Sequence, residues 1–170
     1  ETPTITTRKE DGSLATETII LAGEHAKKCA KVNAVTDVTI LHVKMNAETT
    51  WSHILPPTHE TVIVYVRTGS VVIGGKRLPP HYTAYLSPYE TYLGIEAEKE
   101  GADFLLLAGA PLGEPIAAQG SMVMNSADEI SDAYTDYQRR KMGVPWPHSI
   151  TDTEWREHVK DFPSKYKLTM

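Results

Sequence analysis

From about residue 17 onward the chain strings together short β-branched or apolar segments, at residues 18–21, 35–44, 62–67, 71–73, 82–86, 91–95 and 104–107, separated by turn-forming residues. Many short strands at such spacing fold as a sandwich or barrel. No pattern of ten or more helical residues alternates with them before residue 126, which excludes a doubly covered parallel sheet. Thr68-Gly69-Ser70 reads as a hairpin turn between residues 62–67 and 71–73, because glycine takes the positive φ that a tight turn needs. Gly74-Gly75 and Pro79-Pro80 then end that hairpin. Residues 1–16 are polar, with a proline and an Asp-Gly pair, and read as a linker. A β-barrel is expected over 17–125 and a helical tail over 126–170.

The exit from the barrel is written into residues 104–125. Phe104 to Leu107 is a wholly apolar run, the mark of a strand covered on both faces; Gly109, Pro111, Gly113 and Pro115 then forbid regular continuation. Ser126 with Glu129 is a capping box, and Ile130, Ala133, Tyr134 and Tyr137 recur along one helical face. Asp128 and Glu129 sit in the first turn and Arg139 to Lys141 in the last, matching the helix dipole, with Gly143 as terminator. Thr151 and Glu154 predict a second capped helix, with Trp155, Val159 and Phe162 on one stripe.

At 170 residues and 41% hydrophobic content, the chain supports one core and an appendage. A net charge of -5 argues against a surface that works by neutralising phosphates, so no direct nucleic-acid partner is expected. No apolar run approaches membrane-spanning length, and no membrane partner is expected. Cys29 is the only cysteine; a single thiol fits a reducing, intracellular compartment.

The phrase FLLLAGAPLGEPIAAQGSMVMN at 104–125, with SADEISDAYTDYQ behind it, resembles the pirin family, as do ETIILAGEH at 17–25, VIVYVRTGSVVIGG at 62–75 and PHYTAYL at 80–86. The resemblance runs from about residue 17 to residue 143. It implies a mainly β, cupin-type double-stranded β-helix (jelly roll) with one or two C-terminal α-helices, and identifies the chain as the second of two tandem barrels. In that family one iron is held by three histidines and a glutamate in the first barrel, whose members act as flavonol (quercetin) 2,3-dioxygenases or nuclear transcription co-regulators. The resemblance therefore implies iron in the N-terminal barrel, that barrel as partner, further protein partners through the helical tail, a cytoplasmic or nuclear location, and no cofactor in this chain.

Cupin spacing points the same way. A metal-binding barrel carries His-x-His, then a glutamate, then a glycine, so that inward strand positions converge on one ion. With Gly69 as closing glycine, the glutamate slot falls on Val62 and the histidine slots on Leu55 and Pro57, or Pro56 and Thr58. His81 lacks the expected Pro-x-Gly before it. No catalytic, cofactor-binding or metal residue is assigned.

Other groups carry less. His53, His59 and Glu60 flank Pro56-Pro57 and read as solvent-facing loop residues, since a Pro-Pro turn does not promise converging imidazoles; residue 63 is Ile, so HExxH fails as well. His42 reads as a half-buried structural histidine. Three lysines beside Cys29 would depress its pKa, but no base or oxyanion site accompanies it. For Trp146, Trp155 and Phe162 two readings stay open: docking onto another barrel or a protein partner, and packing back onto this one.

Overall fold

The computed structural model describes residues 2–87, 91–143 and 151–161. The chain forms two compact units, residues 1–112 and 113–170. The first holds strands β1 (Thr4–Arg8), β2 (Leu14–Ala22), β3 (Glu24–His25), β4 (Lys28–Cys29), β5 (Val38–Met45), β6 (Thr50–Ile54), β7 (Thr61–Ile73), β8 (Lys76–Leu78), β9 (Thr83–Leu86) and β10 (Tyr92–Gly109). Eight of them form one antiparallel sheet in the order β1-β2-β5-β10-β7-β8, with β6 on β10 and β9 on β7.

The segment 1–16 is not a linker but supplies β1 and the start of β2, with Thr4 opposite Ile19 and Thr7 opposite Thr16. Its polarity is that of an edge strand rich in threonine, whose branched Cβ suits extended backbone. Thr7 Oγ1 lies 2.7 Å from Thr16 Oγ1, and Ile5 packs against the core.

Residues 62–67 and 71–73 are not the arms of a hairpin. They lie on the single thirteen-residue strand β7, and residues 91–95 and 104–107 likewise merge into β10. The two strands pair throughout except where the register breaks between Ala97 and Ala102 and between Asp103 and Phe104. Gly69 (φ 70°) and Gly101 (φ 72°) meet at that break, and a Cβ on Gly69 would lie 2.0 Å from the Gly101 carbonyl oxygen. The glycine is required here by a bulge and a close backbone approach. Past the bulge the first half of β10 pairs with β6 and the end of β7, while its second half pairs with β5 and the start of β7. Both long strands thus turn a corner and join two layers. The hairpin turn itself is Gly74-Gly75, both at positive φ, between Ile73 and its partner Lys76.

Period-two alternation aims Ile20, Leu41, Val43, Val64, Val66, Phe104 and Leu106 into the space between the layers, against Trp51, Val71, Leu93 and Ile95. The indole of Trp51 meets Phe104 edge-on at 5.4 Å and donates to Thr18 Oγ1 at 2.8 Å, so its one polar atom is satisfied. On the opposite face of the sheet Ile19, Ile40, Ile63, Leu105 and Leu107 are half-buried. Register makes them contiguous: Leu107 lies opposite both Ile40 and Ile63, and Leu105 opposite His42 and Tyr65. Tyr85, opposite Ile63, is 79% exposed.

The second unit begins inside the segment expected to belong to the barrel. β11 (Ala117–Gln119) and β12 (Met122–Met124) form a small hairpin that goes with helix α1 (Ala127–Gln138), not with the large sheet. Tyr134 donates to the Gln119 carbonyl at 2.9 Å, tying helix to hairpin. The Ser126/Glu129 capping box is present, and Ile130 and Ala133 are buried; Tyr137 is exposed. The helix ends at Gln138, so Arg139 to Lys141 follow it and Arg140 takes the left-handed conformation (φ 59°) at the end expected of Gly143. The second helix, α2 (Asp152–Asp161), opens on Thr151, whose hydroxyl and amide both donate to Glu154. Trp155 on it is half-buried. Trp146, Phe162 and the side chain of Val159 lie outside the described residues.

Candidate functional site

The positions that would hold a cupin metal are filled by apolar side chains. Leu55 and Val62 are 3% and 2% exposed and belong to the core; Pro56 is half-buried, and Pro57 and Thr58 face solvent. His81 is exposed, at positive φ in the turn before β9. Lone pairs of the kind an iron or zinc ion needs are therefore missing from those slots, and the slots do not fit the metal. Among the described residues no three His, Cys, Asp or Glu side chains form a group that could hold one.

The histidines read as loop residues facing solvent are instead buried. His53 lies on β6, two residues from Trp51, so alternation turns both inward; it is 6% exposed. His59 follows the turn closed by its amide on the Pro56 carbonyl and is 2% exposed, its Nε2 3.0 Å from Asp37 Oδ1. Glu60 alone of the three faces solvent. The signal that could have found this was the alternation in Thr50–Ile54, where an inward Trp51 fixes the face of His53.

His53 has a partner that the spacing does not announce. Its Nδ1 lies 3.0 Å from Nδ1 of His25, carried by the β3–β4 hairpin. One proton is shared between the two rings, because a neutral imidazole donates from one nitrogen and accepts at the other. His25 stacks on Trp51 at 5.3 Å, and Trp51 lies 6.0 Å from His53 in near-parallel orientation. The hairpin is anchored here although its turn residues Ala26 and Lys27 both have positive φ, a conformation costing about 1–2 kcal/mol per non-glycine residue.

Burial, reinforced by any charge on His25 or His59, holds the His53 imidazole down at about 4, and burial lowers His25 as well. Asp37 is lowered by the hydrogen bonds it accepts from Thr58 and His59. Nε2 of His53 and Nδ1 of His59 are buried without a protein partner. His25 and His53 thus favour their neutral forms, and their contact with each other and with Trp51 locks a strained hairpin to the barrel.

Cys29, on the same hairpin, departs from expectation. The thiol is raised, not depressed, because it donates to Glu24 Oε2 at 3.5 Å and the carboxylate opposes the thiolate. His42 is half-buried as expected, its Nε2 3.0 Å from both oxygens of Asp103, with Arg67 3.1 Å away.

The barrel's open side holds a cavity of about 760 Å³ between β8–β9 and the β6–β10 ladder. Its lining contains Leu55, Leu93, Leu78 and Leu86 together with Lys76 and Tyr92.

With this geometry in view, the chain matches known proteins along most of its length. Residues 40–143 match the family described as the pirin C-terminal cupin domain. Pirin of Rattus norvegicus is 31% identical over 128 residues, covering 73% of this chain and 44% of that protein. A pirin-like protein of Solanum lycopersicum is 30% identical over 127 residues, covering 73% of this chain and 43% of its own length. The crystal structure of a quercetin 2,3-dioxygenase from Acinetobacter baumannii superposes with a TM-score of 0.74 at 30% identity, over 84% of this chain and 48% of that one. The chain spans less than half the length of these relatives. Sequence and fold agree that it belongs to the pirin family, as that family's C-terminal cupin domain.

Proposed function

We propose that the chain is the metal-free, structural and interaction half of a two-barrel protein, packing against an iron-bearing N-terminal cupin barrel. The observation that carries the reading is the apolar filling of the ligand slots by Leu55 and Val62, which leaves those slots nothing to coordinate with. The outer sheet face supports it: Ile19, Ile40, Ile63, Leu105 and Leu107 form a contiguous half-buried aliphatic surface, bordered by the His42, Asp103 and Arg67 cluster that would set register against a polar rim. An aliphatic surface of this kind is a docking surface for another folded element. Metal analysis of the chain purified without chelators should find far less than one iron per chain; one iron retained per chain would overturn the reading. In a protein of the relatives' full length, Ile63→Lys with Leu107→Lys should loosen the two halves, read as faster proteolysis between them, and leave this barrel's own amide spectrum in place.

A second reading concerns the intact protein. The structural relative from Acinetobacter baumannii is named a quercetin 2,3-dioxygenase, which supports an oxygen-dependent opening of flavonol rings in the other barrel, with this half shaping access to it. Quercetin turnover by the full-length protein, lost on iron removal, tests it; turnover by this chain alone would place the chemistry in the wrong half.

A further inference from the structure

We infer that the open side of this barrel is a binding site for an amphipathic organic anion, an apolar aromatic body carrying one carboxylate. The two layers part between the β9 edge and the β6–β10 ladder, leaving a cavity of about 760 Å³, within the size range of small-molecule sites. Its floor is Leu55 and Leu93, both continuous with the core, and its walls are Ile73, Leu78 and Leu86, which pack against the core yet keep part of their surface open to the cavity. An apolar body laid there would cover that surface, a gain of about 25 cal/mol per Å² removed from water. Register explains why the walls point inward: Leu86 pairs with buried Val62 and Leu78 with buried Val71.

The charge of the lining fixes the other end of the ligand. The chain carries a net charge of -5, yet among the described residues no Asp or Glu lines this cavity, while Lys76 and Arg77 do. Arg77 is committed away from it, donating from Nε to Glu98 and from Nη2 to Ser70, both at 2.8 Å. Lys76 is exposed and forms no ion pair with a described residue, so its ammonium is the one that meets an anion. Tyr92 stands at the same rim, where its ring passes close beside Gly94 and offers an aromatic face. The site shares Leu55 with the apolar-filled ligand slots, but it asks for no metal and no reaction.

Titration of the isotope-labelled 170-residue chain with 1-naphthoate, followed by amide shifts, tests the proposal. The expected result is saturable binding at one site, with shifts confined to Ala84, Leu86, Leu93 and Gly94 and their neighbours. Neutral 1-naphthalenemethanol should bind about two- to fivefold more weakly, the range of one exposed ion pair. Lys76→Glu, an exposed change in the turn-proximal end of β8, should weaken 1-naphthoate by at least the same factor and leave the alcohol unaffected. Ala84→Trp should abolish both by filling the cavity, with the amide spectrum of the β5 core as the folding control. Absence of saturable shifts, shifts located elsewhere, or equal affinity for acid and alcohol overturns the proposal.

Discussion

Acidification should weaken this barrel through its buried rings, His53 above all and His25 beside it. In the folded chain His53 titrates at about 4, against 6.5 for an ordinary histidine, because burial and the neighbouring imidazoles oppose its charged form. The unfolded chain therefore takes up the proton first. Stability from this group is fully present above pH 6.5, falls as pH drops from 6.5 to about 4, and changes no further below that. The gap amounts to about 3 kcal/mol, a large fraction of a domain's stability. The lowered Asp37 and Asp11 lose their contributions chiefly as pH falls below the ordinary 3.8, whereas the lowered Glu154 begins to lose its own near 4.5, and all three do so alike in wild type and variant. Urea unfolding of the wild type and of His53→Leu at pH 7 and pH 4.5 measures the difference. The wild type should lose about 2–3 kcal/mol more than the variant between the two pH values. Before global unfolding, hydrogen exchange should show the amide of Ala30, bonded to the Gly23 carbonyl at the base of the β3–β4 hairpin, losing protection first. Parallel acid sensitivity in wild type and His53→Leu would refute the argument, because the proton uptake would then reside elsewhere.

Gly69→Ala places a Cβ 2.0 Å from the Gly101 carbonyl oxygen in a left-handed conformation, so it should cost more than about 3 kcal/mol in urea unfolding. Gly74→Ala has no atom within reach of its Cβ and should cost only about 1 kcal/mol, as left-handed backbone strain alone. Ser126→Ala removes the acceptor for the Glu129 amide and should lower the stability of α1 by about 1 kcal/mol, read as helix content and exchange in residues 127–138. Glu24→Gln should quicken the reaction of Cys29 with a disulfide reagent at neutral pH, because the carboxylate that opposes the thiolate is gone; an unchanged rate would show that Glu24 does not govern the thiol.

The sequence was most legible where local chemistry decides structure. The capping boxes at Ser126 and Thr151 and the stop after Gly109 need only neighbouring residues, and each stands where the pattern put it. Legibility failed where distant residues decide. Thr68-Gly69-Ser70 has the composition of a turn, and only the presence of Gly101 across the ladder makes it a bulge in a continuing strand. Threonines in β1 look like a linker until β2 lies beside them. The His25–His53 contact joins residues 28 positions apart and follows no spacing rule, so the pairing was invisible even though alternation could have turned His53 inward, while the apolar metal slots, read along one continuous segment, were not.

β10 is the hub of the sheet, bonded to β5, β6 and β7 by residues 92–109. A nascent chain that has emerged only as far as β9 carries all three partners without the strand that joins them, so its aliphatic faces stay open until the last strand leaves the ribosome. Pairings this remote in sequence form slowly. Folding of the barrel is therefore an event that waits for the end of its own synthesis, and a chain cut short before residue 109 should be a substrate for chaperones rather than a smaller domain.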